Sequence, residues 1–340
     1  MVTRKIRVLV VDDSIVFREA IIRGISTDND IEVVARASNP FEARDKILEF
    51  EPDVMTCDIE MPKMNGIEFV RRLLPQYSIP VIMVSGINDT VFDAMDAGAV
   101  DFVAKPVDKA SANMKAFIQE LISKIKIAAS SKVKSSETIK TKVITNNSSF
   151  PKDKIIAMGA STGGTEALCN ILMQLPQNIP GILIVQHIPP MFSKMFSERL
   201  NNQSLLAVKE AENGDYLEEG RVLVAPGNQH MILKKIGDRY KVEVFNGDKV
   251  NGHCPSVDVL FESVAKVAGS NAVGIILTGM GYDGAKGLMS MRRRGARTIG
   301  QDEKSSVVYG MPKAAYEIGA VEKQFPLAAI PQALINMLRS

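Results

Sequence analysis

Short apolar runs alternate with helical periodicity over the first 120 or so residues, and this restricts the chain more than any other feature. Arg7–Val11, Ile31–Ala35, Asp53–Cys57, Pro80–Val84 and Asp101–Ala104 read as strands, with helical patterns between them such as Pro40–Phe50. Parallel strands need crossover connections, and a helix is the usual one. Five βα units in so short a stretch therefore predict a doubly wound parallel sheet. Met61-Pro62-Lys63-Met64-Asn65-Gly66 has turn composition and separates the third run from its helix.

Such sheets bind ligands at the carboxyl ends of their strands. Asp12, Asp13, Asp58, Ser85 and Lys105 all fall there and should converge. Three carboxylates in one pocket repel each other, and a divalent cation relieves that repulsion. Lys105 would neutralise an incoming anion and Ser85 would donate a hydrogen bond to it. A single aspartate after a strand is commonly a helix cap. Five polar residues at four strand ends are more than capping explains.

The segments VDDS, CDIEMPKMNG, MVSG and AKP resemble the receiver domain of bacterial two-component response regulators, a flavodoxin-like fold, over residues 5 to about 123. The resemblance implies that Asp58 accepts a phosphoryl group. It also implies Mg²⁺ held by Asp13, Asp58 and the Glu60 carbonyl, with Asp12 orienting the metal's waters. Ser85 and Phe102 match the positions that rearrange on phosphorylation, and Lys105-Pro106 matches a lysine followed by a cis-proline. A histidine kinase is the implied phosphodonor.

Residues 124–150 read as a flexible linker. Lys124, Lys126, Lys132, Lys134, Lys140 and Lys142 face one acid, Glu137, among several serines. The first few finish the preceding helix and the rest make a self-repelling tether. No aromatic residues interleave the lysines, so the run is not read as a nucleic-acid site. A net charge of +2 with 24% charged residues likewise predicts no nucleic-acid partner and no attraction to anionic membranes. No apolar run approaches the roughly 18–20 residues that span a bilayer, so no membrane insertion is expected. The N-terminus does not read as a signal peptide, and Cys57, Cys169 and Cys254 suggest neither a disulfide framework nor a zinc site. A cytoplasmic protein is expected.

In the second half, Gly159-Ala160-Ser161-Thr162-Gly163-Gly164 follows the apolar run Ile155–Met158 and precedes a helical pattern, Thr165–Gln174. A serine on such a strand-to-helix turn is exposed beside free helix N–H groups. By itself the hexapeptide fits a nucleophile, a tight turn or a phosphate cradle equally. The strand Ile182–Gln186 ends at His187, and neighbouring parallel strands about 4.8 Å apart would bring His187 toward Ser161. The run Ala272–Thr278 leads into Gly279-Met280-Gly281-Tyr282-Asp283-Gly284 and places Asp283 at the same edge. Serine, histidine and aspartate then have the roles of nucleophile, base and orienting carboxylate. Backbone N–H groups near Ser161 or Met280 would receive the developing oxyanion. His230, entering a hairpin, and His253, in a loop, are weaker candidates for the base. Asp258 and Asp283 remain readable as mere helix caps.

The order Ser, His, Asp differs from the Ser, Asp, His of α/β-hydrolases. A dinucleotide site fits worse, because Ser161 replaces the second glycine of the fingerprint and no acid ends the second strand. Met231–Ile236 and Arg239–Phe245 flank Gly237-Asp238 and read as a hairpin, and Ser256 caps a helix reaching Ala268. This half is thus expected to be α/β with a mainly parallel sheet and a small antiparallel addition.

GASTGGTEAL, VQHIPP, VAPGNQH, ILTGMGYDGAKGL and QDEKSSVVYGMPKAA resemble the catalytic domain of the chemotaxis methylesterase (CheB) family. The resemblance implies hydrolysis of glutamyl methyl esters on the cytoplasmic helices of methyl-accepting chemoreceptors, releasing methanol, with deamidation of receptor glutamines. It carries over Ser161, His187 and Asp283 as catalytic, with Thr162 and the Met280 backbone near the oxyanion, and no cofactor in this domain. The expected organisation is a receiver domain at 1–123, a linker at 124–150 and a catalytic domain at 151–340. The unphosphorylated receiver is expected to inhibit the catalytic domain. Two rivals are a second domain that only binds a partner, and a nucleotide-binding output domain.

Overall fold

The structure is a computed structural model that describes residues 4–86, 90–106, 111–131, 143–144, 149–151 and 153–339. The chain divides into two compact units, Met1–Thr138 and Ile139–Ser340. Most of the linker reading, residues 132–142 and 145–148, lies outside the described residues.

The first unit alternates β1 (Ile6–Val11), α1 (Ile15–Ile25), β2 (Ile31–Ala37), α2 (Pro40–Phe50), β3 (Val54–Asp58), α3 (Gly66–Leu73), β4 (Val81–Ser85), α4 (Thr90–Asp96), β5 (Asp101–Ala104) and α5 (Ser111–Ala129). Its five strands form one parallel sheet in the order β2-β1-β3-β4-β5, the doubly wound arrangement that the alternation predicts. Every residue of the inner strands β3 and β4 is buried, as helices on both faces require. Side-chain caps start the helices: Ser14 accepts from the Phe17 N–H, Asn39 from Phe41 and Glu42, and Asn65 from Glu68. Residue 123, read as the end of this unit, falls inside α5. One implied detail is corrected. The only cis peptide bond among the described residues is Cys254–Pro255, so Lys105–Pro106 is trans, an isomer that X-Pro bonds favour by about 0.5–1 kcal/mol.

The second unit opens with β6 (Ile155–Ala160), α6 (Gly164–Leu172), β7 (Ile182–Gln186) and α7 (Phe192–Gln203). Then come β8 (Ala207–Glu210), β9 (Tyr216–Leu217), β10 (Arg221–Val224), β11 (His230–Ile236), β12 (Arg239–Phe245) and α8 (Val257–Val267). It closes with β13 (Ala272–Ile276), α9 (Ala285–Arg293), β14 (Arg297–Gln301), α10 (Met311–Glu317), β15 (Lys323–Phe325) and α11 (Ile330–Arg339). Seven strands make a parallel sheet in the order β15-β14-β13-β6-β7-β10-β8. The strands leading to Asp283, Ser161 and His187 are thus its adjacent centre, β13-β6-β7. Around them Ile155, Leu183, Ile276, Leu260, Phe261 and Leu288 belong to one buried cluster.

Gly237 and Asp238 turn the antiparallel hairpin β11–β12, with Ile236 opposite Arg239, and β9 adds a third strand. The outer strands β8, β10, β14 and β15 carry no signal as strong as the core runs, being short and flanked by charge. No helix among the described residues is long and apolar enough to cross a membrane.

Candidate active site and phosphoacceptor site

Ser161 stands one residue beyond β6. Its N–H donates to Thr278 O (3.0 Å), and its carbonyl accepts from the Gly164 N–H (2.7 Å), closing the turn that starts α6. Gly163 caps that helix with φ of 74°, a left-handed conformation in which a side chain would be strained. Gly279 lets the β13 loop pass over the serine, because a Cβ there would lie 2.7 Å from Ser161 Cβ. Parallel pairing sets Ala160 opposite Gln186, and the His187 N–H donates to Ala160 O (3.1 Å). Ser161 and His187 are therefore next in register on neighbouring strands.

His187 Nε2 lies 2.9 Å from Asp283 Oδ2, although 96 residues separate the two in the chain. Asp283 also accepts from Val257 N–H (2.7 Å), Ser256 Oγ (2.8 Å), Asn251 Nδ2 (2.8 Å) and Asp258 N–H (3.3 Å). It sits at the N-terminus of α8, where helix N–H groups favour a negative charge. Burial alone would raise its carboxyl, but the bonds from His187 and Asn251 outweigh that and hold it well below the usual carboxylate range. An ionised Asp283 accepts only, so the neutral imidazole of His187 has its proton on Nε2 and its lone pair on Nδ1. That Nδ1 is buried and has no hydrogen-bond partner among the described residues.

The weaker histidine candidates do not share this geometry. His230 accepts the Ser256 N–H at Nδ1 (3.2 Å) and bonds Asp248 O through Nε2 (2.9 Å), so both nitrogens tie down the loop between β12 and α8. His253, from the same loop, lies flat on His187 with ring centroids 3.7 Å apart and planes 6° from parallel. Burial, reinforced by His187, pushes His253 down to about 4. The capping reading of Asp258 holds, since it accepts the Gly287 N–H of α9 (2.7 Å). For Asp283 capping and histidine contact coexist. Thr162 is buried and its carbonyl accepts from Thr278 Oγ1 (3.0 Å), while Met280 is about half exposed beside the Gly279 turn.

In the first unit, Asp12, Asp13 and Asp58 come together, with one carboxylate oxygen of each within 4.8 Å of the others. Lys105 Nζ bridges Asp12 Oδ2 (3.0 Å) and Asp58 Oδ2 (2.7 Å). Burial pushes the Asp58 carboxyl up to about 6 against the pull of Lys105. Three carboxylates against one ammonium leave net negative charge on oxygen donors, a set that suits a hard divalent cation. The Glu60 N–H lies 3.3 Å from Asp58 Oδ1. Ser85 is buried at the end of β4, and its carbonyl accepts the Lys105 N–H (2.7 Å). Phe102 packs edge-on to Phe92 at 6.2 Å, under the Lys124 ammonium.

Sequence reasoning missed Asn251, the bond from Ser256 to Asp283, the His253 stack and the inward turn of Gln186. Only Ser256 carried a signal, as a helix cap, and that signal says nothing of a carboxylate 27 residues away.

Comparison with known proteins finds relatives of both halves of the chain. Residues 156–334 match the family model CheB methylesterase, and residues 8–117 match the response regulator receiver domain. The protein-glutamate methylesterase/protein-glutamine glutaminase 2 of Syntrophomonas wolfei subsp. wolfei is 55% identical over 335 residues, 98% of each chain. The protein-glutamate methylesterase/protein-glutamine glutaminase of Syntrophotalea carbinolica is 46% identical over 346 residues, again 98% of each. A crystal structure of the Thermotoga maritima CheB methylesterase catalytic domain is 39% identical with a TM-score of 0.53, covering 54% of this chain and 98% of that one. This chain, receiver domain included, belongs to the CheB methylesterase family.

Proposed function

We propose that this chain is a protein-glutamate methylesterase and protein-glutamine glutaminase under the control of its receiver domain. Ser161 is the nucleophile, His187 the general base and acid, and Asp283 the orienting carboxylate. The observation that carries this reading is the His187–Asp283 pair, whose unpartnered Nδ1 belongs to the residue next in register to Ser161. Nδ1 takes the Ser161 Oγ proton as the oxygen attacks the glutamyl ester carbonyl. Asp283 stabilises the imidazolium so formed. The Thr162 and Met280 backbone N–H groups receive the oxyanion. His187 returns its proton to the departing methanol, or to ammonia when the substrate is glutamine. Water, deprotonated by His187, then releases the glutamate.

Residues 1–123 are the receiver, 124–150 a tether and 151–340 the catalytic domain. Asp58 accepts the phosphoryl group, and Asp12, Asp13, Asp58 and the Glu60 carbonyl would hold Mg²⁺, which supplies charge neutralisation there. Lys105 pairs with the incoming phosphoryl, and Ser85 and Phe102 relay the change. The substrates are cytoplasmic helices of chemoreceptors, the donor is a chemotaxis histidine kinase, and the protein works in the cytoplasm. Membership of the family and the chemistry of the two sites support these assignments.

The test measures methanol release from methylated chemoreceptor, with and without a small-molecule phosphodonor, and fluorophosphonate labelling of Ser161. Ser161→Ala should abolish both methanol release and label. Near-normal turnover by that variant would sink the nucleophile assignment. Receptor binding with no release from the parent protein would favour a domain that only binds.

A further inference from the structure

We propose that Gln186 is a positioning residue of the esterase reaction, its side-chain amide holding the peptide units of Ser161 and His187 in place. The inference rests on the reading of Ser161 as nucleophile and His187 as base. Gln186 ends β7 and is 3% exposed. Its Nε2 donates to Ser161 O at 2.8 Å and to His187 O at 3.2 Å, so one amide links the ends of two strands. Ser161 O already accepts the Gly164 N–H, and Gln186 fills its second lone pair. A trans peptide unit is planar, with its N–H opposite its C=O. Fixing Ser161 O therefore fixes the direction of the Thr162 N–H, the proposed oxyanion donor, and resists a flip of that peptide.

The other end of the side chain shows why packing does not account for it. Gln186 Oε1 is buried with no hydrogen-bond partner among the described residues. A Cβ on residue 164 would lie 2.2 Å from Oε1, so glycine at 164 makes room for the amide. Exchanging Oε1 and Nε2 would set an oxygen against two carbonyl oxygens, so the network assigns the orientation. A methionine would fill similar space and leave no orphan acceptor. The amide earns its position through the two N–H bonds.

Two variants of the full-length protein test this, with turnover expressed per Ser161 that accepts a fluorophosphonate label. Gln186→Met should lower kcat per labelled serine about 10- to 100-fold, less than the loss of a direct oxyanion donor, and leave KM for receptor within about twofold. Gln186→Glu keeps the shape but donates only while its carboxyl is protonated. Its activity relative to the parent should fall steadily as pH rises from about 6 to 9, a trend that a merely structural role would not produce. A Gln186→Met kcat within about threefold of the parent overturns the proposal. If Gln186→Met does not fold, a flat pH ratio for Gln186→Glu overturns it instead. Ser161→Ala run alongside separates the two claims. Should Ser161→Ala keep turning over, the nucleophile reading fails; should it be inactive while the Gln186 variants behave as the parent, only the role of Gln186 fails.

Discussion

His187 is held by contacts of two kinds, a charge-assisted hydrogen bond to Asp283 at 2.9 Å and the face of His253 at 3.7 Å. The first sets the tautomer and the second the plane. A nucleophile and base in the proposed roles act as a unit, so Ser161→Ala and His187→Ala should each remove methanol release, and the double variant should be little worse. Additive losses would mean that the two residues act separately. The His253 value of about 4 lies below the 6.5 of an ordinary histidine, so the unfolded chain takes up the proton first. Stability from this group is complete above about 6.5 and is lost as pH falls toward about 4. The melting temperature should therefore drop across that window, and drop less in His253→Phe, which keeps a stacking ring without the charge. Parallel melting curves for the two proteins across the window would refute this account of His253.

At the scale of elements, α8 and α9 cap each other. Asp283, just before α9, accepts N–H groups at the start of α8, and Asp258, in the first turn of α8, accepts the Gly287 N–H of α9. Asn251 bridges the two carboxylates through one nitrogen, at 2.7 and 2.8 Å. The carboxylate proposed to orient His187 is thus also a structural cap. Losing the Asp258 cap should cost about 0.5–2 kcal/mol, so Asp258→Ala should melt a few degrees lower. Differential scanning calorimetry checks this, and an unchanged transition would show that the cap is dispensable. The cap at Ser256 was legible because it acts on an N–H group three residues away, that of Val259.

The molecule as a whole joins a receiver domain to a methylesterase domain within one chain. A tethered receiver acts at high effective concentration, so even a weak inhibitory contact can exclude a protein-sized substrate. A fragment beginning near Pro151 should therefore demethylate receptors faster than the unphosphorylated full chain, while Ser161 labelling by a small probe changes less. Steady-state kinetics at saturating receptor decide the matter, and a slower, folded fragment rejects inhibition by the receiver. Asp58→Ala should remove phosphodonor stimulation and leave the basal rate in place. A variant that still responds to the donor would place the phosphoacceptor elsewhere.

The amino-acid sequence alone determined the five βα units, the strand-end position of Asp12, Asp58 and Lys105, the Gly237-Asp238 hairpin and the placing of Ser161, His187 and Asp283 beyond core strands. Each of these is written in periodicity or turn chemistry spanning a few neighbouring residues. Only the tertiary structure decided which histidine faces Asp283, which of its nitrogens meets that carboxylate, that His253 covers the ring, and that Asn251, Ser256 and Gln186 hold the parts in place. Those outcomes depend on side chains that meet across 25 to 96 residues of chain, where local pattern carries no signal and packing makes the choice.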